Sequence, residues 1–195
     1  VPSIRITNIQ PGFLYRDQQL EFGIVNYFIG KNGSGKSQVM KQIHLVMQNR
    51  SSSGDSAVID KSKGELGKLL SSNRTHGLQG TGEMLSENLE HRESERNDPF
   101  AFYQFLNESE FTKAMVQSKL ERFFDKKIRI TLQGRNIVME IVEKWEGHHE
   151  AIPVHLGSES DGLKELIVLL TYIYHPRVKV LAVDETELHL HPQMI

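Results

Sequence analysis

Apolar side chains recur along this chain at three spacings, and each spacing implies a different element. Ile4, Ile6 and Ile9, then Phe13, Leu14, Leu20 and Phe22, nearly alternate with polar residues, which predicts two short, half-exposed antiparallel strands. Ile24, Val25, Tyr27, Phe28 and Ile29 form a mostly apolar run, the pattern of a buried parallel strand. Val39, Met40, Ile43, Val46 and Met47 then fall on one stripe of a helix beginning near Lys36.

From Ser51 to Asp98 the pattern fades. That stretch has no Phe, Trp or Tyr and is rich in Ser, Gly, Glu and Arg, so it is expected to bury little surface. Ser51-Ser52-Ser53-Gly54-Asp55 reads as a turn or linker, and Glu87 to Arg96 as an exposed helix or disordered segment of mixed charge. Gly67 to Arg74 is expected to hold a short strand whose end, Ser71-Ser72-Asn73-Arg74, is either an active-site loop or a solvated one.

Order returns at Asp98-Pro99, a capping side chain followed by proline in the first helical turn. Phe100, Phe102, Tyr103, Phe105 and Leu106, then Phe111, Met115, Val116, Leu120, Phe123 and Phe124, predict two helices with packing faces. Ile128, Ile130 and Leu132 alternate, Gln133-Gly134-Arg135-Asn136 turns, and Ile137, Met139 and Ile141 alternate again, which is a hairpin. His148 and His149 fall in a polar connection. Leu163, Leu166, Ile167, Leu170, Ile173 and Tyr174 predict the apolar face of a helix that His175-Pro176 ends. Val178, Val180, Leu181, Ala182 and Val183 predict a buried strand running into Asp184-Glu185.

Composition adds bounds rather than chemistry. At 195 residues, 38% hydrophobic and 25% charged, the chain suits one soluble domain with an inserted lobe. A net charge of −2 gives no global pull towards nucleic acid, and the absence of cysteine excludes disulfides and thiolate metal sites. The longest near-continuous apolar run, Leu166 to Tyr174, is too short to span a bilayer, and nothing at the start resembles a signal peptide. The expectation is a cytoplasmic protein with no membrane contact. The chain opens on Val1 and stops at Ile195, just past His191-Pro192, and is expected to be a piece of a longer polypeptide.

The candidate chemistry lies between the first apolar run and the first helix. Gly30-Lys31-Asn32-Gly33-Ser34-Gly35-Lys36-Ser37 has the spacing G-x-x-x-x-G-K-[ST] of a phosphate-cradling loop. Glycine permits the positive φ that lets successive N–H groups point at one anion. Lys36 is expected to reach the β- and γ-phosphates, the Ser37 hydroxyl to bind Mg²⁺, and the helix to aim its positive dipole end at the same phosphates. Gln38 is counted with the nucleotide contacts. Far downstream, Asp184 at a strand end suits the Mg²⁺ shell, and Glu185 suits the role of orienting and deprotonating the water that attacks the γ-phosphate. Phe13 or Tyr15 is either an adenine-stacking aromatic or ordinary edge-strand packing. His189 and His191 share a strand face, which raises either a zinc site or a structural or dimer contact.

The opening strands, Gly30 to Ser37, Ser160-Asp161-Gly162 ahead of a helix, and Val183-Asp184-Glu185-Thr186-Glu187-Leu188-His189-Leu190-His191-Pro192 together resemble the ABC/SMC-type ATPase heads. In particular they resemble the RecF-like and OLD-family branch of DNA-repair and phage-defence ATPases. The resemblance covers both ends of the chain well and the middle poorly. It implies an α/β P-loop NTPase, a mostly parallel sheet flanked by helices with an antiparallel β subdomain and a helical lobe. Residues 1–50 and 150–195 would form the nucleotide-binding core, and 51–127 a polar insertion and helical lobe. It also implies that two heads, as a homodimer or higher oligomer, sandwich ATP and Mg²⁺. One supplies the phosphate loop and acids, and the other supplies Ser160, Asp161 and the Gly162 backbone against the γ-phosphate. Leu163 follows Gly162 where many members carry Glu or Gln, Thr186 stands in place of the usual proline, and the switch histidine is expected beyond Ile195.

The expected activity is ATP hydrolysis coupled to control of a nuclease or toxin effector, as an attached domain or a partner subunit, acting on nucleic acid. Two other classes stay open at this point. One is a nucleotide-gated scaffold with negligible turnover, separable by phosphate release. The other is a transporter's nucleotide-binding subunit, for which the His-Leu-His-Pro tail is atypical.

Overall fold

The apolar repeats condense into separate bodies of structure. A computed structural model describes residues 3–6, 18–21, 26–29, 31, 33–47, 56–58, 66–70, 81–83, 99–133, 136–143 and 152–184. In chain order the elements are β1 (Ser3–Ile6), β2 (Gln18–Glu21), α1 (Lys36–Met47), β3 (Ser56–Val58), β4 (Leu66–Leu70), β5 (Thr81–Glu83), α2 (Pro99–Glu108), α3 (Glu110–Phe124), β6 (Lys126–Gln133), β7 (Asn136–Glu143), β8 (Val154–His155), a 3₁₀ turn (Leu156–Ser158), α4 (Asp161–Tyr174) and β9 (Val178–Val183). They divide into two compact units, Val1–Leu69 with Arg177–Asp184, and Leu70–Pro176 with Glu185–Ile195. The architecture is α/β, with a small parallel sheet and antiparallel sheets. No described helix is long and apolar enough to cross a membrane.

In the first unit β1 lies between β2 and β3, antiparallel to both, with Ile4 opposite Leu20 and Ala57. The alternation at Ile4, Ile6 and Leu20 therefore becomes the expected antiparallel pair, while Ile9, Phe13, Tyr15 and Phe22 lie outside the described residues. α1 packs against β1, β3 and β9 through Val39, Met40 and Ile43, all nearly covered. β4 and β9 form the parallel pair.

Two expectations for this unit are corrected. Asn26 to Ile29 is not a strand: Phe28 is half-buried, whereas Tyr27 and Ile29 are 84% and 93% exposed. Asn26 is exposed as well, so Phe28 alone of these four is partly covered, and Ile24 and Val25 lie outside the described residues. β9 is a strand but only half-buried, with Lys179 exposed, since among the described residues β4 alone pairs with it. The polar stretch 51–98 contributes β3, β4 and β5; β4 is the short strand expected from Gly67, and its Lys68, Leu69 and Leu70 are buried.

The second unit has its core where α2, α3 and α4 meet. Ser109 separates α2 from α3 and caps the latter, its hydroxyl accepting from the Thr112 N–H at 3.1 Å. Leu106, Val116, Leu120 and Ile167 are fully buried. The Phe105 ring meets Tyr172 edge-on at 5.3 Å and His175 at 4.5 Å. Thr112, also buried, donates its hydroxyl proton to the Tyr174 carbonyl at 3.3 Å, satisfying an acceptor at the α4 C-terminus. The hairpin forms as predicted, with Ile128 opposite Ile141, Ile130 opposite Met139 and Leu132 opposite Ile137. β7 is central, with β6 on one side and β5 and β8 on the other. Gln117 on α3 accepts from the outward N–H of Ile128 at 2.8 Å.

Two packing faces differ from the sequence pattern. Phe111 and Phe123 are each 61% exposed, because α3 buries Thr112, Val116 and Leu120 instead. On α4 the buried arc runs through Leu163, Glu165, Ile167, Val168, Thr171 and Tyr172, leaving Ile173 half in solvent. The arc is turned towards α2 and α3, and Thr171 is accommodated because its hydroxyl donates to the Ile167 carbonyl at 2.8 Å.

Candidate functional site

The phosphate-loop motif of the first unit becomes a tight turn running straight into α1. The Ser34 N–H donates to the Lys31 carbonyl at 3.1 Å, closing the turn. Gly33 and Gly35 take φ of +80° and +90°, a region open to glycine and strained for other residues. The Gly35 carbonyl accepts from both Gln38 N–H (3.1 Å) and Val39 N–H (3.0 Å), so the first helical bonds close on the loop's last glycine. Helix geometry gives the N–H groups of the first turn no carbonyl within the helix, and with the macrodipole they make the N-terminus attractive to an anion.

Burial divides the segment into a fixed and an accessible part. Lys31, Gly33 and Gln38 are exposed, and Ser34, Gly35, Lys36 and Ser37 are half-buried. One turn later Val39 and Met40 are 6% and 8% exposed, so packing anchors the helix that carries the loop. The Lys36 ammonium donates to the Lys31 carbonyl at 3.2 Å, folding across the turn it follows. Lysine on a flexible stem in that position can exchange a neutral carbonyl for a charged oxygen, a stronger acceptor. A Cβ built at Gly33 meets no atom within 4 Å, which leaves the backbone approachable there.

Asp184 follows the last residue of β9 and is half-buried. It belongs to the same compact unit as Lys36 and Ser37, and α1 packs against β9. The Ser37 hydroxyl and the Asp184 carboxylate are hard oxygen donors of the kind Mg²⁺ prefers. Among the described residues no group of three or more His, Asp or Glu gathers as a metal site built from protein ligands alone. Gly30, Asn32, Glu185, Arg74, His148, His149, His189 and His191 lie outside the described residues.

In the second unit the Ser160-Asp161-Gly162 segment opens α4. The Ser160 hydroxyl accepts from the Leu163 N–H at 3.4 Å, and the Ser160 carbonyl accepts from the Lys164 N–H at 3.1 Å, so Ser160 is the N-cap. Ser160 and Asp161 are exposed and Gly162 is half-buried. Lys164 reaches back to Asp161 at 2.7 Å and donates to the Gly157 carbonyl at 3.4 Å. On the other flank Lys126 at the start of β6 holds Glu159 at 3.0 Å and Glu143 at 3.2 Å. Burial pulls the Lys126 ammonium down, but Glu159 and Glu143 outweigh it and hold its pKa above the ordinary 10.5.

Lys126, Glu159 and Lys164 were not among the residues the motifs single out. Lys164 lies three residues after Asp161, a spacing that signals a helical ion pair. Lys126 carries no comparable signal, since it meets Glu159 only once the hairpin has formed and β8 has paired with β7. Comparison with protein-family models, curated proteins and solved structures finds no match for this chain.

Proposed function

We propose that this chain is a P-loop ATPase head that binds ATP with Mg²⁺ and dimerises around two nucleotides. Its closure and hydrolysis would then control an effector nuclease or toxin, attached or separate, that acts on nucleic acid. The observation that carries this reading is the loop at Lys31 to Ser37. Two positive-φ glycines and a closing Ser34-to-Lys31 bond lead into a helix N-terminus, with a lysine ammonium folded over the turn. That combination offers an anion backbone amides, a dipole end and a cation together.

In this reading Lys36 neutralises charge on the β- and γ-phosphates, and Ser37 and Asp184 hold Mg²⁺, which supplies further neutralisation as charge develops on the transferred group. Glu185 orients and deprotonates the attacking water. Ser160, Asp161 and the Gly162 backbone of a second copy meet the γ-phosphate, a role for which the exposure of Ser160 and Asp161 suits them. The link to nucleic acid, and to DNA repair or phage defence, comes from the sequence resemblance and not from charge.

Lys36→Ala is expected to abolish binding of a fluorescent ATP analogue. Glu185→Gln is expected to retain ATP, lose phosphate release and accumulate ATP-dependent dimers. Native-rate hydrolysis by Glu185→Gln would remove Glu185 from the role of base. ATP binding without any phosphate release by the wild type would favour the nucleotide-gated scaffold.

A further inference from the structure

The Ser160 loop follows β8, which pairs with β7, and two lysines hold it from either side, of which Lys126 comes from outside the segment. Lys164 bonds Asp161 and the Gly157 carbonyl, all within the same short segment. Lys126 comes from the edge strand β6, 33 residues away in sequence, and its ammonium lies 3.0 Å from the Glu159 carboxylate. The side chains of this pair are 19% and 12% exposed, so water screens it little. Its second contact, Glu143, is the register partner of Lys126 on β7 and is 58% exposed. Glu159 also donates its own N–H to the Leu156 carbonyl at 3.1 Å, closing the 3₁₀ turn. The residue bonded to the chain-distant lysine thus immediately precedes Ser160, whose backbone sets the start of α4.

We propose that Lys126 is the positioning residue of the Ser160 loop, fixing Ser160 and the Gly162 backbone against the hairpin in the setting that receives the nucleotide held by a second copy. The inference rests on the dimer reading above. Docking a loop that is already ordered avoids an entropic cost that a loose loop would incur on association. Without Lys126 a mostly buried Glu159 carboxylate has lost its ammonium, and the loop is drawn outward to hydrate it. Lys126 acts through Glu159, so its role is read in association of the chains and not in the affinity of the monomer for nucleotide.

The test uses the full chain with a non-hydrolysable ATP analogue and Mg²⁺, measuring analogue affinity and analogue-dependent self-association separately. Lys126→Met is expected to leave monomer affinity within about twofold and to weaken association about tenfold or more. Lys126→Arg keeps charge and reach and is expected to recover association to within about threefold of the wild type. Glu159→Gln separates position from charge: it reduces the clamp to a weaker, uncharged acceptor while making the loop less negative. The positioning role predicts weaker association, whereas long-range repulsion of phosphate alone predicts stronger association. A Lys126→Met chain that melts as a folded protein and associates like the wild type overturns the proposal, as does tighter association of Glu159→Gln. A wild-type chain that binds the analogue without associating overturns the dimer reading, and the positioning role with it.

Discussion

Replacing Gly35 by alanine isolates the conformational requirement of the phosphate loop from every other interaction. The residue sits at φ +90°, and a Cβ there finds Gln38 Oε1 at 3.9 Å, an ordinary contact. Crowding is therefore negligible, and the penalty is that of an L-residue in left-handed territory, about 1–2 kcal/mol. On the proposed function the bound state needs the loop in this shape, so ATP-saturated Gly35→Ala is expected to lose about 1–2 kcal/mol against ATP-saturated wild type, however the loop behaves when empty. If the empty loop keeps φ positive, the loss appears as a lower melting temperature with affinity intact. If it relaxes, the melting temperature holds and ATP binds about 5- to 30-fold more weakly. Gly35 is half-buried and its carbonyl holds the first helical bonds, so the loop keeps this φ and the lower melting temperature is the expected form. Titration with a fluorescent ATP analogue, together with thermal melts at zero and saturating ATP, measures both parts. Ser34→Ala, at a neighbour outside the positive-φ region, is the control and is expected to stay within about 0.5 kcal/mol in stability. Gly35→Ala matching the wild type in both affinity and ATP-saturated stability would refute the claim that this φ is needed for binding.

Two further predictions concern the second unit. Asp125, at φ 51° and ψ 32°, ends α3 in the left-handed region, with its N–H bonded to the Leu120 carbonyl. Asp125→Gly is expected to stabilise by about 0.5–1 kcal/mol and Asp125→Val to destabilise by about 1–2 kcal/mol in denaturant melts, and the reverse order would contradict the cap. Lys126 holds its proton more tightly when folded than the ordinary 10.5, so its contribution is complete below that pH and drains as pH climbs through the raised folded value. The stability gap between wild type and Lys126→Met is therefore expected to stay constant from about pH 8 to 10 and to close above it, and a gap unchanged at about pH 12 would exclude the ammonium as its source.

Elements that declare themselves locally were legible in the sequence. The hairpin could be read because Ile128, Ile130 and Leu132 alternate in step with Ile141, Met139 and Ile137, so the register that pairs them also gathers their faces. α1 was legible from Val39, Met40 and Ile43, and the end of α4 from His175-Pro176. Elements decided by distant partners were not. The burial of Lys68 on β4 depends on β4 joining β9, and the rotation of α4 depends on α2 and α3. Tyr27 and Ile29 show the converse, where apolar character alone did not supply a ladder. The positive φ of Gly33 and Gly35 was legible because the spacing of the G-x-x-x-x-G-K-[ST] motif encodes a backbone shape. The support behind Ser160 was not, because Lys126 and Glu159 are single charges brought together only by the fold.

The bond from Gln117 to the Ile128 N–H bears on how copies of this chain can assemble. Among the described residues β6 is the outer strand of its sheet, and outer strands invite a foreign strand to zip alongside. Here a glutamine side chain occupies one peptide N–H of that border. A strand laid alongside β6 would have to displace that side chain before pairing at Ile128, which makes this stretch of the edge a costlier place to add one.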